Sequence, residues 1–156
     1  MNKRIVIRYL YMDDIAQFTL QILRDRSPVG ASGDTHPGLY RDSHLLFIDG
    51  HVVPDAKNWQ PGQALEFANP VPYARKIELG SVKLSVPPHV YEETAALVDA
   101  RYGNQVNVKF TFMPVRFGSI DAYAQSREGH AFKARRNRKV LRDWLVRQPA
   151  IIVTAR

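Results

Sequence analysis

Five residues in the first third of the chain could ligate a metal or move a proton: Asp34, His36, Asp42, His44 and Asp49. Asp42 and His44 are two apart, a spacing that puts both on one face of a strand, so two ligands could converge there. No compact ligand motif of the His-Glu-x-x-His kind accompanies them. Polar residues on an exposed loop and strand face account for the cluster better. Ser43 lies between Asp42 and His44, but neighbours on a strand point to opposite faces, so the three cannot form a nucleophile–base–acid relay. Asp34-Thr35 reads as turn chemistry. Gly30, Gly33 and Gly38 match neither phosphate-cradling pattern. The expectation is no catalytic residue, no metal and no cofactor. A hydrolase using Asp42 and His44 ranks last among the readings.

The charge is more informative. The chain of 156 residues carries a net +7, and residues 127–147 hold eight cations against two anions, which leaves the remainder nearly neutral. Lys133, Arg135, Arg136, Arg138, Lys139 and Arg142 form the dense part of this segment, helical in composition over 131–147. Cations at that density could neutralise phosphates without reading sequence. An acidic patch on a protein partner, or plain solvent, is the preferred reading. No helix-turn-helix, zinc-finger or RNA-binding signature accompanies them. Trp144 would hold this helix against something apolar.

There is no cysteine, hence no disulfide framework and no thiolate metal site. No stretch approaches the roughly 20 apolar residues of a membrane span. The N-terminus starts basic and then apolar, as a signal peptide would, but Arg8, Asp13 and Asp14 interrupt it too early.

The elements that must position these residues follow from periodicity. Residues 5–11 are either a strand or the first turns of a longer helix. A helix follows to residue 26, with Ile15, Phe18, Ile22 and Leu23 on its stripe and Asp13 or Asp14 as N-cap. Residues 27–38 are a long loop. Residues 39–49 read as a strand, and Asp49-Gly50 as a hairpin turn into His51-Val52-Val53. A strand is expected over 64–68 and a short helix over 72–79. A helix follows over 88–102, with Val90, Ala95, Leu97 and Val98 inward, then an alternating strand over 104–113. Ile151-Ile152-Val153 is a short terminal strand that pairs within the chain or with a neighbour. The fold class is α+β, a small antiparallel sheet packed with one or two helices, plus a basic C-terminal helix and the terminal strand. Residues 1–118 are read as the core domain and 119–156 as a basic extension.

One stretch stands out: Asn69-Pro70-Val71-Pro72-Tyr73-Ala74-Arg75-Lys76-Ile77-Glu78-Leu79-Gly80. Pro72 suits a first helical turn, Tyr73 and Ile77 share a face, and Gly80 suits a helix end. Together with Pro28-Val29 and with Gly38-Leu39, Arg41 and Ser43, it resembles the head–tail connector and tail-completion family of long-tailed bacteriophages, over roughly residues 10–115. Pro28, Gly38, Asn69, Pro70, Tyr73, Ala74, Glu78 and Gly80 are the positions that carry the resemblance. Residues 31–37 are inserted relative to that pattern, and the basic C-terminal segment lies outside it.

The resemblance implies a non-enzymatic virion protein, made in the host cytoplasm, that joins the DNA-filled head to the tail. It implies a homo-oligomeric ring of six or twelve copies, as connector, tail-completion or terminator ring, around the DNA channel. Its partners would be portal or adaptor and tail-tube or tail-terminator proteins, with non-specific contact to packaged DNA and none to a membrane. The competing reading is a small basic nucleic-acid-binding module.

Overall fold

The computed structural model describes residues 2–29, 38–71, 74–79, 89–114 and 147–156. Its elements run in the order α1 (Asn2–Arg26), a 3-10 turn (Arg41–Ser43), β1 (Leu45–Ile48), β2 (His51–Val53), β3 (Leu65–Ala68), α2 (Ala74–Glu78), α3 (Val90–Tyr102), β4 (Val106–Pro114) and β5 (Arg147–Ala155). The five strands form one antiparallel sheet in the order β2-β1-β3-β5-β4. This is the expected α+β class.

Residues 5–11 belong to α1, which settles the strand-or-helix alternative. The buried stripe of α1 is Met12, Ile15, Ala16, Thr19 and Leu23, at helical spacing. Arg24 and Arg26 in its last turn oppose the negative end of the helix dipole. Asp13 is not an N-cap here; its carboxylate accepts the Ala56 N–H at 3.0 Å. Phe18 is half-buried, edge-on to Tyr102 at 5.5 Å, with the Arg101 guanidinium 4.6 Å from its ring centre.

Helix α3 buries Val90, Tyr91, Thr94, Ala95, Val98 and Tyr102, while Leu97, expected inside, is 39% exposed. It lies one position round the helix from the inward stripe. Helices α1 and α3 share one core cluster with one face of the sheet. Across that face, Leu46, Phe67, Ile151 and Phe110 form one register row. Ile48, Leu65, Val153 and Val108 form the next.

The hairpin is as expected. Asp49 and Gly50 have φ of 52° and 78° between the paired Ile48 and His51. Two successive positive φ values match the twist of the flanking strands. Residues 39–44 differ from the expected strand. Gly38 turns the chain at φ 81°. Asp42 N–H then donates to Gly38 O, Ser43 N–H to Tyr40 O, and the Ser43 hydroxyl to Leu39 O. Local hydrogen bonds close a turn where the apolar run at 45–48 suggested a strand beginning at residue 39.

The second correction concerns the chain's end. β5 spans nine residues rather than three and lies inside the sheet between β3 and β4. Residues 147–156, read as part of an extension, therefore belong to the core. Pro149 is tolerated because the pairing with β3 stops at Ala150, so its missing N–H removes no bond to that strand. Of the helix expected over 131–147, Arg147 is instead the first residue of β5, and 131–146 lie outside the described residues.

Candidate functional site

His44 is the residue around which the described elements meet. The end of α1 supplies Ser27, the start of α3 supplies Tyr91, and the end of β3 supplies Asn69. The His44 Nε2 is 2.6 Å from Ser27 Oγ, and its Nδ1 is 2.8 Å from the Tyr91 hydroxyl and 3.3 Å from Asn69 Nδ2. Tyr40 stands edge-on to the imidazole at 4.9 Å.

The proton assignments follow from the partners. Asn69 Nδ2 can only donate, so Nδ1 is the acceptor, also taking the Tyr91 hydroxyl hydrogen, and the ring hydrogen is on Nε2. It donates to Ser27 Oγ, whose own hydrogen goes to Leu23 O. Every proton in the chain Tyr91–His44–Ser27–Leu23 is thus directed one way. Burial, followed by the charge of Arg24, holds the imidazole pKa down at about 3. The Tyr91 hydroxyl is pushed up by its own burial.

A serine beside a histidine suggests nucleophilic catalysis, but this pair runs in the wrong sense. An activating base must accept the serine proton. Here the imidazole donates to Ser27, the serine proton is committed to a carbonyl, and Ser27 is buried. The arrangement is a neutral, satisfied junction of three elements.

Asp42 and His44 are not on a strand, because the chain turns at Arg41–Ser43 and β1 begins only at Leu45. Asp42 sits in the exposed 3-10 turn, with its Oδ1 3.2 Å from Arg41 Nε and 3.6 Å from Arg24 Nη2. The hydrogen bond from Arg41, with the charges of Arg41 and Arg24, lowers its pKa. Asp49 accepts the Gln63 amide at 2.6 Å beside the hairpin. Asp34 and His36 lie outside the described residues. Among the described members, Asp42, His44 and Asp49, no two are brought together as ligands.

Among the described residues, one group has metal-like proximity: Glu78, His89 and Glu92. Its buried member is already engaged. The Glu78 carboxylate accepts the Tyr91 N–H at 2.7 Å and the Glu92 N–H at 3.0 Å. These are the N2 and N3 donors of α3, whose N-cap residue His89 makes no side-chain capping bond. Glu78 is a cap supplied from another element. A cation there would face the positive end of the helix.

The remaining motif positions also have framework roles. Asn69 is fully buried, donates to Tyr40 O at 2.8 Å and accepts the Val71 N–H at 3.0 Å. Pro28 and Ala74 are buried and Pro70 is half-buried. Gly38 N–H donates to Val29 O at 2.6 Å. Tyr73 and Gly80 lie outside the described residues, as do Lys133, Arg135, Arg136, Arg138, Lys139 and Arg142.

Residues 115–146 connect Pro114 to Arg147, which are register partners at the end of the β4–β5 ladder. Beside this end, Arg75 N–H donates to Gln148 Oε1 at 2.9 Å, and its guanidinium lies 5.4 Å from the Phe112 ring centre.

Sequence reasoning did not find Ser27, Tyr91 or the Arg24–Arg41 pair. The only local signals were Ser27 before a proline and Asn69 before a proline. Comparison with protein-family models, curated proteins and solved structures returned no match.

Proposed function

We propose that this chain is a structural subunit of a tailed-phage virion, one copy of a ring at the head–tail junction that surrounds the DNA channel. The observation that carries the reading is the use made of the motif residues. Asn69 and Glu78 are buried and spend their polar atoms on backbone groups of other segments. Gly38 closes a chain reversal. These are demands of architecture, and the Ser27–His44 contact is arranged against catalysis.

Two further features suit a ring subunit. Among the described strands the nine-residue β4 is at the sheet edge, and edges are where neighbouring copies add. The most basic part of the sequence lies between Pro114 and Arg147, register partners at one end of the β4–β5 ladder. Its cations suit DNA in the channel or an acidic neighbour among the portal, adaptor, tail-tube or terminator proteins.

The test is electron microscopy of lysates from the parent phage with this gene disrupted. DNA-filled heads beside unattached tails support the junction role, and intact virions overturn it. The concentrated net charge of +6 over residues 127–147 favours a second reading, a nucleic-acid-binding module. That reading expects a stable monomer, tight low-salt binding and no affinity for virion parts.

A further inference from the structure

A cleft of about 180 Å³ opens between α1 and the turn that follows Gly38. Gln17, Gln21 and Arg24 line one side over Leu20, and Arg41, Asp42 and His44 line the other. The helical residues are three to four apart and so form one stripe. We infer that this cleft takes a glutamate side chain from an acidic segment of a protein partner, its carboxylate entering between the guanidinium groups of Arg24 and Arg41.

Charge balance is the first argument. The lining holds two guanidinium groups and one carboxylate, so it keeps one positive charge after internal pairing. Both arginines meet the same oxygen, Asp42 Oδ1, at 3.2 and 3.6 Å. Each guanidinium has five N–H donors in a fork suited to a carboxylate. Gln17 and Gln21 each use an amide hydrogen on a neighbouring aspartate, Asp13 and Asp25. Each amide nitrogen carries a second hydrogen. Arg24, Arg41, Gln17 and Gln21 can therefore all donate to an incoming anion.

The local field agrees. After burial, the charge of Arg24 is what depresses the His44 imidazole. The Arg41 hydrogen bond and both arginine charges depress Asp42. Two groups on the same side of the cleft thus experience a positive surrounding.

Size selects the source of the anion. The volume falls below the roughly 300–1,000 Å³ of small-molecule sites. A phosphodiester lies in the line of a bulky backbone, whereas a glutamate carboxylate arrives at the end of a thin stem. Both ring nitrogens of His44 are already engaged, so it forms floor and not a ligand. The inference is independent of whether the chain forms a ring.

The experiment is an NMR titration of the full chain in low salt with a blocked Gly-Glu-Gly peptide, and in parallel with inorganic phosphate. The expected result is peptide-dependent shifts at the Arg24 and Arg41 Nε–H groups and the Gln17 and Gln21 amides. Arg41→Gln should weaken this binding at least fivefold. Asp42→Asn should tighten it severalfold, because the competing carboxylate is gone. Both residues are exposed or nearly so, and melting curves check that the variants fold. Shifts confined to other residues, unchanged affinity in both variants, or tighter binding of phosphate at this cleft would each overturn the inference.

Discussion

The Glu78 carboxylate accepts the Tyr91 backbone N–H at 2.7 Å, so the first turn of α3 is capped by a residue thirteen positions upstream. The other oxygen takes the Glu92 N–H at 3.0 Å. Glu78→Ala leaves two donors without their acceptor and should cost about 3 kcal/mol. Thermal melts should show a fall of roughly 10 °C. A change within 2 °C of wild type would remove Glu78 from this role.

The same residue sets a pH dependence. Burial raises the Glu78 pKa above its ordinary 4.5, against the opposing hydrogen bonds from Tyr91 and Glu92. The folded state therefore holds the proton more tightly than the unfolded chain. Its contribution is present at pH below 4.5 and is lost as pH rises through the folded value. Glu78→Gln cannot titrate. The difference in melting temperature between Glu78→Gln and wild type should move in favour of glutamine from pH 4.5 to pH 7; a constant difference contradicts the shift.

His44 acts with the opposite sign. Its folded pKa of about 3 lies below the unfolded 6.5, so stability is complete above pH 6.5 and declines as pH falls toward 3. The loss should reach on the order of 4 kcal/mol near the lower limit. Urea unfolding of wild type and His44→Gln from pH 7 to pH 4 should show the two converging as pH falls. Ring ¹⁵N shifts at pH 5 should report a neutral imidazole with its hydrogen on Nε2, and an imidazolium there would refute the assignment.

What could be read in the sequence was what short-range chemistry decides. Helix α3, strand β4 and the Asp49-Gly50 turn depend on spacing and on residues that tolerate positive φ, and all were visible. The Gly38 turn was hidden because the apolar run at 45–48 was extended back to residue 39, where the Ser43 hydroxyl and the Gly38 backbone instead close a turn. Strand β5 was read as short and peripheral because Gln148 and Pro149 are poor strand formers, and its partner β3 lies some eighty residues upstream. The His44 junction was illegible for the same reason: its partners are 17, 25 and 47 residues away. No spacing rule reaches that far.

The basic segment makes a quantitative prediction. If Lys133, Arg135, Arg136, Arg138, Lys139 and Arg142 contact DNA, duplex binding by the full chain should fall with salt at a log–log slope of about −4, for four or five phosphates engaged. Glutamine at three of these positions should flatten the slope in proportion. A flat response in the wild-type chain excludes DNA and leaves an acidic protein neighbour or a solvated face.

Fold and charge should separate at the Pro114–Arg147 pair. These residues face each other across β4 and β5, so the chain can pass between them in a two-residue turn as readily as through residues 115–146. Replacing 115–146 with Asn-Gly, which favours that turn, should give a cooperatively folded protein melting within a few degrees of wild type. It should also lose whatever binding depends on the basic residues. Removing residues 147–156 should do the reverse damage: β3 and β4 lose their shared partner, Phe67 and Leu65 lose Ile151 and Val153 beside them, and no cooperative melt should remain. If instead the turn variant unfolds and the truncated chain melts normally, residues 115–146 carry the fold and β5 is dispensable.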